Sequence, residues 1–326
     1  MNTPSSIVLD IVVPCYNEEE ALPETHRQLA ALLQSMLDSN QVSTRSRIYY
    51  VDDGSRDATW EIIEALCRSD PRAAGIRLSR NFGHQAAVLA GLFTVPGDAV
   101  ITIDADLQDD IGVIPEMVEK FRAGHQVVYG VRKQRTTDTV FKRQTALLYY
   151  GLLQKFGVRI VHNHADYRLM GRRAIDALRD YTEVNLFLRG IVPLIGFKSC
   201  SVYYDRKSRM AGESKYNLAK MLQLAIEGIT SFSAVPLRFV AALGLIVFVI
   251  SLAMAGWVFW IRVFTSQAVP GWASSVIPIY FLGGVQLLCL GVIGEYVAKS
   301  YFESKRRPRF LISELLAEDD NGAPHA

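Results

Sequence analysis

The chain has little cysteine and no bias of charge. Its four cysteines, Cys15, Cys67, Cys200 and Cys289, stand far apart, with neither metal-ligand nor redox spacing. Lys and Arg number 35 against 33 Asp and Glu, a net charge of +2, so no global field directs the protein to nucleic acid. The first residues, Met1-Asn-Thr-Pro-Ser-Ser6, lack a basic segment leading into an apolar core. A reduced, cytosolic setting without disulfides is therefore the expectation. No internal repeat is present. The first acidic turn, Val13–Glu18, holds no glycine-rich basic phosphate loop, which tells against a nucleotidyltransferase.

Hydrophobicity is distributed unevenly. Phe239 to Ile261 contains no charged residue, and at about 1.5 Å rise per residue it is long enough to cross a bilayer. Val276 to Ile293 is a second uncharged run with three glycines, and Pro270-Gly271-Trp272 lies between the two. Either run alone suits a core helix; two in tandem predict a transmembrane hairpin, with helices over about 237–263 and 275–298. Arg238, Lys305-Arg306-Arg307 and Arg309 flank the outer ends, against Arg262 alone near the connecting loop, so both termini are expected in the cytoplasm of an inner-membrane protein. Trp257, Trp260, Trp272 and Tyr280 sit near the loop-side ends, as interfacial aromatics do.

Before the hairpin, strand-like runs alternate with helical patterns. Strands are read at Ile7–Val13, Ile48–Val51, Ala74–Leu78, Ala99–Ile103 and Gln126–Gly130, and helices at Glu18–Leu37, Thr59–Cys67, His84–Phe93 and Glu116–Ala123. This order predicts an α/β fold with an open, mostly parallel sheet, whose ligands sit at the strands' carboxyl ends. Further helices are read at Thr139–Phe156 and, amphipathic and placed in the membrane interface, at Tyr216–Ser231. The expected domains are 1–215 catalytic and cytosolic, 216–235 interfacial, 236–300 transmembrane, and 301–326 a basic then acidic tail, disordered from Glu314.

Three strand-end turns carry candidate chemistry. In Ile101-Thr-Ile-Asp-Ala-Asp-Leu-Gln-Asp109, Asp104 and Asp106 point the same way from an extended backbone. Two carboxylates aimed at one spot repel unless a cation lies between them, and oxygen ligands select a hard ion such as Mg²⁺ or Mn²⁺. The other turns are Val13-Pro-Cys-Tyr-Asn-Glu18, where Tyr16 is suited to a base, and Val51-Asp-Asp-Gly-Ser-Arg-Asp57, whose acids suit ribose hydroxyls. Taken singly, each turn reads as a cap, with Asn17, Ser55 and Asp57 as good cap residues.

In this order they resemble the nucleotide-sugar-binding domain of family 2 glycosyltransferases, the Rossmann-like GT-A fold. Arg80-Asn-Phe-Gly-His-Gln-Ala-Ala87, Asp104–Asp109, Ala165-Asp-Tyr-Arg-Leu-Met170 and Gly212-Glu-Ser-Lys-Tyr216 are similar to the branch that glycosylates polyprenyl phosphates. That branch includes dolichyl-phosphate mannose synthase and bactoprenol-phosphate glucosyltransferases. The resemblance implies an inverting, membrane-bound hexosyltransferase that moves one sugar from a nucleotide sugar, a UDP-sugar first, to undecaprenyl phosphate. Homo-oligomers are known among similar bacterial proteins.

The resemblance also assigns roles. Asp104, Asp106 and Gln108 match the metal-binding acidic motif, Pro14, Tyr16, Glu18 and Asp53 the nucleoside-contacting positions, and Arg132 a contact to donor phosphate or sugar. Asp166 matches an acid acting near the acceptor, and Arg206, Arg209 and Lys215 match a mobile phosphate-gripping loop. Asp110-Ile-Gly112 departs from the family's usual prolines and acid. The Gln-x-x-Arg-Trp signature of processive synthases is absent, with Phe187-Leu-Arg-Gly190 roughly where it would fall, which implies single transfer. A phosphate acceptor is already ionised, so Asp166 is expected to orient groups more than to act as a strong base. His84, His162 and His164 lack a ligand partner at metal spacing and read as structural. A nucleotidyltransferase and a non-catalytic nucleotide-sugar-binding subunit stay open as alternatives.

Overall fold

The computed structural model describes residues 6–133, 164–183, 188–205, 235–264 and 271–316. Strands form where β-branched and apolar residues run together: β1 (Leu9–Cys15), β2 (Ile48–Asp52), β3 (Ala73–Leu78), β4 (Ala99–Thr102) and β5 (Val127–Arg132). β6 (His164–Gly171), β7 (Ser199–Tyr204) and β8 (Ile312–Leu316) complete one sheet in the order β7-β5-β6-β4-β1-β2-β3-β8. β3, β2, β1 and β4 are mutually parallel. β6 runs antiparallel between β4 and β5, and β8 runs antiparallel along β3. The expectation of a mostly parallel α/β sheet holds for the half formed by β3, β2, β1 and β4; the other half is mixed.

Helices α1 (Leu22–Asp38), α2 (Thr59–Ser69), α3 (His84–Thr94) and α4 (Ile114–Arg122) follow β1 to β4 in turn, with α5 (Arg172–Arg179) and α6 (Leu188–Leu194) after β6. Leu29 and Leu33 of α1, Met117 and Val118 of α4, and Leu9, Ile11 and Ile101 of the central strands share one buried cluster. On the other face α3 packs against β1 and β2, its buried residues running continuously from Ala86 to Leu92. Close approach there depends on Gly91, because a Cβ at that position would lie 2.3 Å from Val12 Cγ1.

The described residues divide into two compact units. One holds the sheet and α1–α6 and takes up the chain again from Pro308. The other holds two long helices, α7 (Val235–Phe264) and α8 (Trp272–Ser304), where the two spans were expected. Phe281–Ser304 of α8 is long and apolar enough to cross a membrane. Large apolar side chains on both helices, among them Phe239, Ile250, Trp257, Phe281, Leu287 and Val297, are exposed, the reverse of what water tolerates in quantity.

One expectation fails. The tail was read as disordered from Glu314, yet Glu314 to Leu316 lie in β8. Pairing with β3 supplies backbone partners that the local composition does not reveal: Arg77 faces Glu314, Ser79 N donates to Leu311 O (2.9 Å), and Ser313 Oγ donates to Arg77 O (3.1 Å). Upstream, Arg309 Nη1 donates to Tyr181 O (2.7 Å) and its guanidinium lies over the Phe93 ring. The helices read at 139–156 and 216–231 lie outside the described residues. All four cysteines are free, as expected.

Gly91→Ala would normally favour a helix by roughly 1 kcal/mol. Here the clash with Val12 reverses the sign, and overpacking of about 1–3 kcal/mol is expected. The thermal unfolding midpoint should fall relative to wild type; an unchanged or raised midpoint would disprove the close approach.

Candidate active site

The turns after β1 and β2 are laced to each other. Asn17 takes a left-handed conformation (φ 56°), donating from its backbone N to Ser55 Oγ (3.0 Å) and accepting from Arg56 N at its Oδ1 (2.9 Å). Glu18 N donates to Thr59 Oγ1 (2.9 Å), and Glu19 Oε2 accepts from Ala58 N (3.0 Å). Asn17 and Ser55 thus tie the β1 and β2 turns together, where the sequence alone made them helix caps. Pro14 is buried beneath this lacing, Glu18 is partly exposed, and the Tyr16 ring stands open to solvent.

Asp53, matched to a base or ribose contact, also has a structural place. It is buried, and its two oxygens accept from Phe82 N (2.7 Å) and Gly83 N (2.9 Å), so it shapes the Arg80–Gly83 turn. Gly54 seals the same junction. Its φ is +67°, and a Cβ would come within 2.6 Å of the Arg80–Asn81 backbone.

The acidic motif leaves the end of β4. Leu107 adopts φ 52°, a left-handed conformation that costs a branched L-residue roughly 1–2 kcal/mol. That bend folds the turn on itself: Gln108 Nε2 donates to Asp106 Oδ2 (2.6 Å) and Gln108 N to Asp106 Oδ1 (3.2 Å). From α1, Thr25 Oγ1 donates to Ala105 O (2.6 Å), holding the turn from behind. Asp109 is buried and accepts from Tyr204 OH (2.6 Å) and Arg132 Nη2 (2.9 Å). Arg132, expected at the donor phosphate, is therefore engaged with the acidic turn itself. Asp110, where the chain departs from the family pattern, accepts from Gly112 N and caps the short 3-10 turn Ile111–Val113.

Strand register brings in the last acid. β4 and β6 pair antiparallel with Ile101 opposite Leu169 and Thr102 opposite Arg168. Asp104 lies two residues past Thr102, and Asp166 two residues before Arg168. His84, the first residue of α3, stands between them, its Nε2 3.5 Å from Asp104 Oδ1 and 3.9 Å from Asp166 Oδ2. The sequence made His84 structural; its place at this junction depends on a long-range approach of α3 that no local spacing encodes.

Two arginines meet Asp166. Arg168, fully buried, donates from Nη2 to Oδ1 (2.8 Å), and Arg189 donates from Nη2 to Oδ2 (3.1 Å) and from Nε to Oδ1 (3.3 Å). Burial alone would raise the Asp166 pKa, but Arg189 and Arg168 outweigh it and hold the carboxyl well below the usual carboxylate range. Asp104 moves the other way. Enclosure pushes its pKa up, the carboxylates of Asp166, Asp109 and Asp106 add to the rise, and His84 opposes it. A site that resists negative charge at Asp104 is one that a cation relieves.

The donor set suits a hard divalent ion: carboxylates of Asp104 and Asp106 and the amide oxygen of Gln108. Among the described residues no three His, Cys, Asp or Glu side chains are grouped as a metal cage. Mg²⁺ characteristically takes one or two carboxylates and fills its shell with water and substrate phosphate, so the donors fit in kind and number. Arg206, Arg209 and Lys215 lie outside the described residues.

Comparison with known proteins shows the family. The model of Glycosyl transferase family 2 matches residues 10–179, more than half of the chain. The uncharacterized glycosyltransferase YkoT of Bacillus subtilis is 49% identical over 310 residues, 94% of this chain and 92% of that protein. The prophage bactoprenol glucosyl transferase homolog of Escherichia coli is 41% identical over 94% of this chain and 99% of its own length. The bactoprenol glucosyl transferase of Shigella phage SfX is 43% identical over 93% and 98%. Among solved structures, glucosyl-3-phosphoglycerate synthase from Mycobacterium tuberculosis aligns with a TM-score of 0.46 and 18% identity over 69% of this chain and 79% of that one, too distant to bear on residue roles. Family match, near-complete relatives and the acids gathered at the strand ends converge: the chain belongs to glycosyl transferase family 2, and it is a glycosyltransferase.

Proposed function

We infer that this enzyme transfers one sugar, glucose first among candidates, from a UDP-sugar to undecaprenyl phosphate, with inversion at the anomeric carbon. The observation that carries this reading is the meeting of Asp104 and Asp166 at His84, beside the folded Asp106–Gln108 turn. Relatives at 41% and 43% identity, named a bactoprenol glucosyl transferase homolog and a bactoprenol glucosyl transferase, support the sugar and the lipid. The exposed apolar helices support a bilayer setting, and the Lys and Arg residues at their outer ends support cytoplasmic termini.

In this reading the laced turns of β1 and β2 receive the nucleoside, Tyr16 offering its exposed ring to the base. Asp104, Asp106 and Gln108 would hold Mg²⁺ or Mn²⁺. When bound, the ion supplies positive charge where the departing nucleoside diphosphate becomes negative. An oxygen of the acceptor phosphate bonds to the anomeric carbon as the bond from that carbon to the diphosphate oxygen breaks. A phosphate monoester loses its second proton near pH 6, with a pKa of about 6, so the acceptor needs no strong base at neutral pH. Asp166, held deprotonated by two guanidiniums, is a poor proton acceptor and serves to fix Arg168 and Arg189.

The direct test is release of UDP from UDP-glucose by the membrane-embedded enzyme, in parallel with other nucleotide sugars. Release should depend on added undecaprenyl phosphate; release indifferent to the lipid would refute the acceptor. Asp106→Ala should lower kcat by about two orders of magnitude or more, with circular dichroism and melting retained. Near-normal turnover of that variant in the presence of a chelator would remove the metal assignment.

Asp166→Asn separates positioning from proton transfer. Because the Asp166 pKa lies below the usual range, the carboxylate stays ionised at every pH from 5 to 9 and contributes no acid limb to the rate profile. The variant should be impaired by the same factor across that range. Recovery of the variant as pH rises would instead make Asp166 the base.

A further inference from the structure

The acidic turn after β4 is held at both ends. At its entry, the fully buried Thr25 of α1 donates from Oγ1 to Ala105 O (2.6 Å). At its exit, Tyr204 of β7 donates from its OH to Asp109 Oδ1 (2.6 Å), and Tyr167 of β6 donates from its OH to Asp110 O (3.1 Å). Both tyrosines are only 1% exposed, and their rings meet edge to face with centroids 5.4 Å apart.

The direction of bonding is fixed at Tyr204. Arg132 Nε lies 3.3 Å from the same hydroxyl, and a guanidinium has no acceptor. Arg132 therefore donates to the phenol oxygen, and the single phenol proton goes to Asp109. Arg132 also donates to Asp109 Oδ1 from Nη2 (2.9 Å) and Nε (3.2 Å), so carboxylate, phenol and guanidinium close a ring of three groups. β5 and β7 pair in parallel with Arg132 opposite Tyr204, so the sheet register aligns both donors on the one acid. A bond from a phenol to a carboxylate is charge-assisted and of the stronger kind.

Between entry and exit lies the part of the turn that carries the proposed ligands. Leu107 is held at φ 52°, and a branched residue stays in that region only where its surroundings over-determine it. Gln108 is bonded to Asp106 through its backbone N and its Nε2, and it immediately precedes Asp109. Asp106 and Gln108 thus form a unit whose far end is pinned at Asp109 and Asp110. Releasing that end would give Leu107 a route to a relaxed backbone and carry both donors out of place.

We propose that Tyr204 and Tyr167 are positioning residues for the divalent ion, acting through Asp109 and Asp110 on Asp106 and Gln108. This rests on the metal site named under the proposed function. In this role neither phenol touches the ion; each keeps the donor oxygens in the arrangement that binds it. Groups that orient ligands in this way are worth about 10- to 100-fold in metal affinity.

The test is titration of Mn²⁺ into the full-length enzyme at saturating UDP, with free Mn²⁺ read by electron paramagnetic resonance and melting midpoints recorded. Wild type is compared with Tyr204→Phe and Tyr167→Phe, each of which removes one oxygen and keeps the ring. Tyr203→Phe, on the exposed neighbour in β7, is the control and should bind Mn²⁺ as wild type does. Tyr204→Phe should weaken Mn²⁺ binding about tenfold or more. Tyr167→Phe should act in the same direction by less, because it loses a bond to a neutral carbonyl; where Tyr204→Phe does not fold, Tyr167→Phe decides. Mn²⁺ affinity of Tyr204→Phe within about twofold of wild type, even with a lowered melting midpoint, would overturn the proposal, and so would an equal loss in Tyr203→Phe. A wild type that takes up no Mn²⁺ would bring down the metal site itself, whereas a wild type that binds Mn²⁺ and is matched by both tyrosine variants removes the two phenols alone.

Discussion

The enclosure of several carboxylates beside β4 and β6 organises this site. Asp104 and Asp166 both lie against His84, and acids enclosed together do not all stay ionised without compensation. The compensation is divided. Asp166 receives two arginines and is held deprotonated, whereas at Asp104 enclosure pushes the pKa up, with a histidine edge opposing the rise and acidic neighbours adding to it. One acid is thereby balanced by arginines, and the other stands among acids. The difference between them follows from which residues flank each: Arg168 shares the strand face of Asp166 at a spacing of two, while the neighbours of Asp104 on its own turn are acids.

Those features depend on α3. Its first turn brings His84 to the junction and Gln85 to Leu188, and its middle lies flush on the sheet because Gly91 lacks a side chain. The Arg80–Gly83 turn that launches the helix is in turn held by the Asp53 carboxylate. Packing distance in the core and side-chain placement at the site are one problem here, solved by a single short helix.

Much of this was legible in the sequence. The first five strands were found within a few residues, because parallel strands buried on both faces read as apolar runs. The Asp104–Gln108 motif sits at the strand end where the alternation predicted it. β6 and β7 were not found: β6 carries Asp166 and Arg168 in mid-strand, and polar residues there look like loop. The acidic tail hid β8, since Ser313 and Glu314 are satisfied only by partners some 240 positions earlier. Arg189 was visible only as a place where another signature was missing; its contact with Asp166 joins two stretches that no local pattern links. Asn17 and Ser55 were read as helix caps, but their partners lie in each other's turns, information that local pattern does not contain.

The eighth strand also guards against misassembly. β3 would otherwise be the outermost strand on its side, a row of open backbone donors and acceptors next to Ile76 and Leu78, and such an edge is a template for pairing with another chain. The cover comes from residues that follow both long helices. A polypeptide ended before α7 to make the catalytic domain water-soluble would lose its edge protection along with its apolar helices. Cutting away the greasy part would create a new sticky one, and supplying Pro308–Leu316 again, fused or in trans, is the remedy that the sheet itself prescribes.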